Sequence, residues 1–492
     1  MNAFQGEEGL SLAELWAFPA MLRLVALEDI VTTFCCLVPE LAPPVQGLER
    51  PGNWQDRDPT DALSRAIMAL AAIERIDWRA FVEATSLVEA ILRTSPDGLY
   101  PAMDFDTRDR YRQAIETLAE GTGRSEPDIA REALRMSRGH MGSPRQSHVG
   151  WWLVDGGRGA FEGLTGYRGK RADAVRRLAL RRPGWVYATG LAGVAALALA
   201  IPLALLIAWD ARGVALALGA VLLIMPASII AVTVTNWLVT HIVPPRVLPK
   251  MDFRKGLPEG VEAAVIVPAI FRSPDEIVPV LAQLERHMLT NPDPRMRYAL
   301  LSDPADAAQQ VTDEDQALEA ALLNGIRALN GRYAESAPFV LLHRRRSWNE
   351  ADGIWMGWER KRGKIEAFNE FLHDGAGDAF PLTEGDVEGL RAARFIVTLD
   401  ADTIAPPGAV YSLLGALAHP LNRAEFDGEG ERVIAGYTFV QPRIEISPEA
   451  GAVSPFTRLY TGDTAIDIYS RAVSDVYQDL FGEGIFTGKG AY

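Results

Sequence analysis

An α/β domain with a mainly parallel sheet, preceded by a helical region and a two-helix transmembrane hairpin, is the architecture this sequence predicts. Three observations carry it. After about residue 261, apolar β-favouring runs alternate with helix-length stretches: AAVIVPA, PDEIVPVLAQLERHML, RYALLSD, DEDQALEAALLNGIRALNGRY and PFVLLHR. Strands separated by such helices imply βαβ units and a parallel sheet. Before that, Trp185 to Trp209 and Val214 to Val239 are uncharged apolar stretches, each longer than the ~20 residues a spanning helix needs. Before those, residues 1–148 carry helix-start signals and amphipathic runs.

Residues 1–148 read as a helical cytoplasmic region. Ser11 and Glu14 form a capping box opening LAELWAFPAMLRLVALEDIVTTF, in which Pro19 is expected to bend the helix. DWRAFVEATSLVEAILR and SEPDIAREALRMS continue the pattern, with Ser125 as a cap and Pro127 in the first turn. His140 and His148, set among Arg, Gly and Ser, are expected in exposed loops. Residues 149–184 read as a basic linker, 185–239 as the hairpin and 240–260 as a juxtamembrane segment. Asp210-Ala211-Arg212-Gly213 is too short a link for anything but antiparallel helices. Both outer flanks, YRGKRADAVRRLALRRPG and HIVPPRVLPKMDFRKG, are basic, which places them in the cytoplasm. Trp185, Trp209 and Trp237 stand where interfacial aromatics belong. A buried hairpin in a soluble core is the alternative.

At 492 residues the chain is too long for one ordinary core. A net charge of −15 argues against a nucleic-acid partner, because phosphate backbones demand a basic footprint. The adjacent Cys35 and Cys36 supply neither a disulfide framework nor a zinc site, which is consistent with a reducing compartment. MNAFQGEEGL lacks the basic start and apolar core of a signal peptide, so targeting is expected from internal segments. No G-x-G-x-x-G opens a helix and no P-loop motif occurs.

The chemistry concentrates at strand ends. In FIVTLDADTIAPPG, a buried-type strand runs into Asp400 and Asp402 and then a Pro-Pro-Gly break. Ligands bind at the C-terminal edge of open α/β sheets, and two carboxylates on alternate positions there suit a hard divalent cation. Turn chemistry alone also produces such a sequence. RYALLSD brings Asp303 to the same edge, and PFVLLHRRR brings Arg344, Arg345 and Arg346. Further cations, Arg360, Lys361, Arg362 and Lys364, follow in HRRRSWNEADGIWMGWERKRGKIEAFNEFL. A diphosphate beside the Asp pair would satisfy these charges, and a solvated or RNA-binding basic loop is the alternative.

The sequence resembles cyclic β-1,2-glucan synthases, membrane glucosyltransferases that use UDP-glucose, over almost its whole length. The resemblance lies in LAELWAFPAMLRL, DWRAFVEATSLVEAILR, HVGWWLVDGGR, PPRVLPKMDF, HRRRSWNEADGIWMGWERKRGK, VTLDADT, HPLNRAEFD, VQPRIEIS and RAVSDVYQDLFGEGIFTGKGAY, in that order. It implies a GT-A-like fold over 261–492, inversion at the sugar, and Mg²⁺ or Mn²⁺ on Asp402 with Asp400. It further implies that Asp303 contacts the uridine, that Asp400 contacts the sugar or ribose, and that Lys364 and Asn369 match a G-K-x-x-x-x-N pattern, with Lys364 near the diphosphate. Arg344 and Arg346 are expected as further donor contacts. The implied partners are UDP-glucose, a growing glucan chain and the lipid bilayer. The implied place is a bacterial inner membrane, multi-pass, with the N-terminal region and transferase domain facing the cytoplasm.

In the family the catalytic base and an Arg-Trp motif lie beyond G-K-G-x-Y, hence beyond Tyr492, so the chain reads as the front part of a longer enzyme. Asp479 and Glu483 are nearer acids, expected as loop contacts or helix caps. A membrane-anchored nucleotide-sugar-binding protein without catalytic activity is the competing reading.

Overall fold

The computed structural model describes residues 9–38, 58–169, 171–243, 245–374, 377–442, 453–455, 457, 476–482, 484 and 488–492. The chain forms two compact units, Met1–Arg168 and Gly169–Tyr492.

The first unit is helical: α1 (Leu12–Leu37), α2 (Pro59–Arg75), α3 (Trp78–Thr85), α4 (Leu87–Leu92), α5 (Phe105–Thr122), α6 (Glu126–Gly139), α7 (Val149–Val154) and α8 (Arg158–Thr165). Its starts follow the local code. The Ser11 hydroxyl accepts from the Glu14 amide while the Glu14 carboxylate accepts from the Ser11 amide, and Ser125 caps α6. Two sequence expectations need correction. The stretch 149–184, read as a basic linker, is mostly helical, and α7 and α8 belong to the first unit because Val149, Trp152, Leu153 and Phe161 are apolar and buried. His148 is not an exposed loop residue: it is fully buried, its Nδ1 against the Asp97 carboxylate and its Nε2 3.0 Å from the Tyr111 hydroxyl. A buried imidazole needs partners for both nitrogens, and here they come from distant sequence.

In the second unit α9 (Arg171–Arg181) leads into two long helices, α10 (Pro183–Ala208) and α11 (Val214–Ile242). They have mean hydropathies of 2.6 and 2.5 over their most apolar windows, which are 0% and 11% buried. They pack on each other, and the Tyr187 hydroxyl donates to Asn236 at 2.9 Å across the pair. Both are long and apolar enough to cross a membrane. At the tip Asp210 takes a left-handed conformation, φ 64°.

The remainder is the α/β domain. In order it contains β1 (Ala263–Phe271), α12 (Ile277–Thr290), β2 (Met296–Pro304), α13 (Asp315–Arg332), β3 (Phe339–His343), a hairpin of β4 (Ser347–Asn349) and β5 (Ile354–Met356), and α14 (Arg360–Asp374). Then come β6 (Leu382–Glu384), α15 (Val387–Arg391), β7 (Phe395–Thr398), α16 (Ala409–Ala418), a small hairpin of β8 (Glu425–Phe426) and β9 (Val433–Ala435), and β10 (Gly490–Ala491). The main sheet runs β10-β7-β1-β2-β3-β6. Its four inner strands are parallel and both edge strands antiparallel.

Near-continuous apolar strands are what a sheet covered on both faces requires. One face, with Ala264, Ile266, Ala299, Leu301, Val340, Leu342 and Ile396, is covered by Phe368 and Phe371 of α14 together with Phe380 and Leu390. Helices α12 and α13 pack against the strands as well. The strand order reverses at β1: β2 and β3 lie on one side, β7 on the other. That reversal opens a crevice at the C-terminal ends of β1 and β7, where open α/β sheets bind ligands.

Candidate functional site

A pocket of about 340 Å³ sits at this switch point. It is lined by Pro268, Ala269, Ile270 and Phe271 from the end of β1, Glu276, Val280, Lys361 and Lys364 of α14, and Ala401 between the two aspartates.

Asp400 is the centre of a charge cluster. Its Oδ1 accepts from Lys361 Nζ at 2.5 Å, and Lys489 Nζ stands 3.1 Å from its Oδ2. Burial pushes the Asp400 carboxyl up, but the two ammonium groups outweigh it and hold the group below the usual carboxylate range. Asp402 is different. Its side chain is 88% exposed, with Lys489 4.0 Å away.

Lys489 reaches the site because of its neighbours. Gly488 has φ +87°, and a Cβ there would sit 3.1 Å from Lys361 Nζ, which donates to the Gly488 carbonyl at 2.8 Å. After Lys489, Gly490 and Ala491 pair antiparallel with Thr398 and Val397 of β7. The lysine is thus pinned between a lysine-bound carbonyl and a sheet edge.

Beneath lies a second, buried cluster. Asp303, within β2, receives Arg344 on both oxygens at 2.8 and 2.9 Å, and Lys364 Nζ is 3.0 Å from its Oδ2. Lys364 also donates to the Ala269 carbonyl at 2.5 Å. Burial lowers the Lys364 ammonium to about 8, with Asp303 opposing the shift. Two cations share one carboxylate here, which leaves an excess positive charge beneath the pocket. Gly357 is needed at this point, since a Cβ would fall 2.5 Å from the Asp303 carboxylate.

The structure places the expected site residues among these internal partners. Asp303 is fully buried and held by Arg344 and Lys364, which does not suit a contact to a uridine base. Arg344 spends its donors on Asp303 and on the Trp358 and Arg360 carbonyls. Arg346 is likewise buried, bound to both oxygens of Asp315 and to the Ala305 and Gln310 carbonyls, so the donors of both arginines are engaged within the protein. Asn369 is exposed and accepts from the Tyr492 hydroxyl at 2.8 Å. Asp479 accepts from the Arg246 amide at 2.6 Å, a loop contact, and Glu483 lies outside the described residues.

In the sequence Lys361 is one cation among many, and no motif marks Lys489. A lysine between two glycines was the available signal. The Asp400–Asp402 loop is supported from α12, a contact no local pattern announces: Gln283 donates to the Thr403 carbonyl at 2.8 Å and its amide lies 3.3 Å from His287 Nε2.

No group of three or more metal-ligating side chains occurs among the described residues. Magnesium is commonly held by one or two carboxylates plus substrate phosphates. The exposed carboxylate of Asp402 fits that mode. Asp400, with both oxygens on ammonium groups, does not.

Fold and site together define a mixed α/β protein with a mostly parallel sheet, two membrane-length apolar helices, and an acid–lysine cluster at the sheet's switch point. No protein-family model matches the chain. Over 443 residues, 87% of its length, the chain is 35% identical to Cyclic beta-(1,2)-glucan synthase NdvB of Rhizobium meliloti (strain 1021). This similarity supports kinship with the cyclic β-(1,2)-glucan synthases, and the chain spans 15% of the length of that curated relative.

Proposed function

We propose that this chain is the donor-binding part of a membrane glucosyltransferase that passes glucose from UDP-glucose to a growing β-1,2-glucan. The observation that carries the reading is the cluster of Asp400, Asp402, Lys361 and Lys489 beside a pocket at the β1/β7 switch point, in a chain 35% identical to a glucan synthase. The α/β domain is read as GT-A-like and the reaction as inverting, with an acceptor hydroxyl attacking the anomeric carbon opposite the diphosphate.

Asp402 is the residue we assign to Mg²⁺ or Mn²⁺. When bound there, the cation supplies positive charge to the departing diphosphate. Lys361 and Lys489 supply more, in a site already biased by the excess charge around Asp303. Helices α10 and α11 are read as an anchor in a bacterial inner membrane that keeps the domain on the cytoplasmic side.

The test is incorporation of radiolabelled UDP-glucose into polymer by membranes carrying the chain, alongside calorimetric binding of UDP-glucose with Mn²⁺. Binding with incorporation supports the transferase. Binding with incorporation only by a chain extended past Tyr492 also supports it, binding with incorporation by neither chain supports a nucleotide-sugar-binding protein, and absence of binding sinks the proposal.

A further inference from the structure

We propose that Lys361 and Lys489 form an anion site for a diphosphate group that works without metal, and that Asp400 occupies this site as an internal competitor until the ligand arrives. The assignment of a diphosphate rests on the donor proposed above; the lysine site itself rests on geometry.

Two lysines from segments far apart in the chain meet on one carboxylate, at 2.5 Å and 3.1 Å. Neither is a freely swinging surface cation: their side chains are 37% and 22% exposed, and Lys361 is also anchored to the Gly488 carbonyl. Such anchoring lowers the entropy cost of gripping an anion. Lys361 lines the pocket, and so does Lys364 from the buried Asp303 cluster.

In this arrangement Asp400 does for the lysines what an anionic ligand would do. A carboxylate offers one negative charge. A diphosphate offers more charge and more acceptor oxygens, so it outcompetes the carboxylate for the same two ammonium groups. Asp400 is then released from them. The consequence is a reversal of the usual sign: removing this acid strengthens anion binding, whereas removing an acid that binds ligand or metal weakens it.

The measurement is calorimetric titration of the full chain in detergent with inorganic pyrophosphate, in EDTA so that no divalent cation contributes. Asp400→Asn is expected to bind about tenfold more tightly than the unchanged protein, Lys361→Ala and Lys489→Ala at least tenfold more weakly, and Lys489→Arg within a few-fold. Thermal unfolding of each variant separates loss of the site from loss of the fold, and the Lys489→Arg and Asp400→Asn results stand without the alanine variants. No pyrophosphate binding in EDTA overturns the proposal, as does weaker or unchanged binding by Asp400→Asn. If the pyrophosphate pattern holds while UDP-glucose neither binds nor is incorporated, the anion site stands and the sugar-donor reading falls. If UDP-glucose is used but Asp400→Asn gains no pyrophosphate affinity, the reverse follows.

Discussion

Arg344 grips Asp303 with two prongs, Nε to Oδ1 at 2.8 Å and Nη2 to Oδ2 at 2.9 Å, and the same Nη2 donates to the Trp358 and Arg360 carbonyls at 3.2 Å. The guanidinium ties the end of β2 to the turn that starts α14, where Glu359 and Arg360 both hold left-handed backbone, φ 49° and 48°. Two such residues in a row are costly and persist only when their surroundings hold them. The turn aims Lys361 and Lys364 at the β1/β7 crevice.

Removing that brace is therefore expected to destabilise the α/β domain. Arg344→Ala leaves a buried carboxylate with Lys364 as its remaining cation, at a cost of about 3 kcal/mol by analogy with broken buried pairs. Arg344→Lys recovers only part, since an ammonium cannot make the fork. Arg345→Ala, at an exposed neighbour, is the control. Thermal unfolding of the three variants in detergent checks this, and equal losses for Arg344→Ala and Arg345→Ala would contradict it.

Asp402 and Asp400 are expected to behave oppositely. Asp402→Asn removes an exposed carboxylate and should abolish the Mn²⁺-dependent gain in UDP binding while leaving pyrophosphate binding in EDTA and thermal stability nearly unchanged. Calorimetry with and without Mn²⁺ reads both. An undiminished Mn²⁺ effect refutes the metal assignment.

Acid should weaken the domain through two histidines. Burial lowers the His287 and His343 imidazoles to about 4, with a smaller push from Arg286 on His287 and an opposing pull from Asp303 on His343. The unfolded chain takes up these protons near pH 6.5 and the folded one only near 4, so stability falls as pH drops through that window. Each group contributes on the order of 3 kcal/mol. The fall in melting temperature between pH 7 and pH 4.5 should be smaller in His287→Asn/His343→Gln than in the unchanged protein. An identical fall in both would rule out this source.

The hairpin makes a topological prediction. If both basic outer flanks lie in the cytoplasm, as proposed, the tip faces the far side of the bilayer. Asp210→Cys, in a chain whose Cys35 and Cys36 are serine, should react with a membrane-impermeant maleimide added outside intact cells. A cysteine introduced at Arg254, downstream of α11, should react only after permeabilisation. Labelling of Arg254→Cys in intact cells would invert the topology, and release of the chain by alkaline extraction would remove the anchor altogether.

What could be read from one dimension was whatever depends on neighbours in sequence. The alternation of strands and helices predicts a parallel sheet, and the sheet has four parallel inner strands. Uncharged runs predicted two long helices over 185–239, and they are found as Pro183–Ala208 and Val214–Ile242. The Ser11–Glu14 capping box closes over three residues and was equally legible.

The partners of the charges were settled elsewhere. The register that places Ser302 opposite His343 also brings Asp303 beside Arg344, 41 positions away, and joins two residues read separately from the sequence in one buried ion pair. His148 becomes a core residue because Asp97 and Tyr111, 51 and 37 positions off, meet its two nitrogens. Lys361 and Gly488 are 127 residues apart, yet their contact defines the cluster on Asp400. Periodicity and capping are local properties of the chain. The state of a charge depends on which opposite charge folding brings within a few ångströms, and only the tertiary structure decides that.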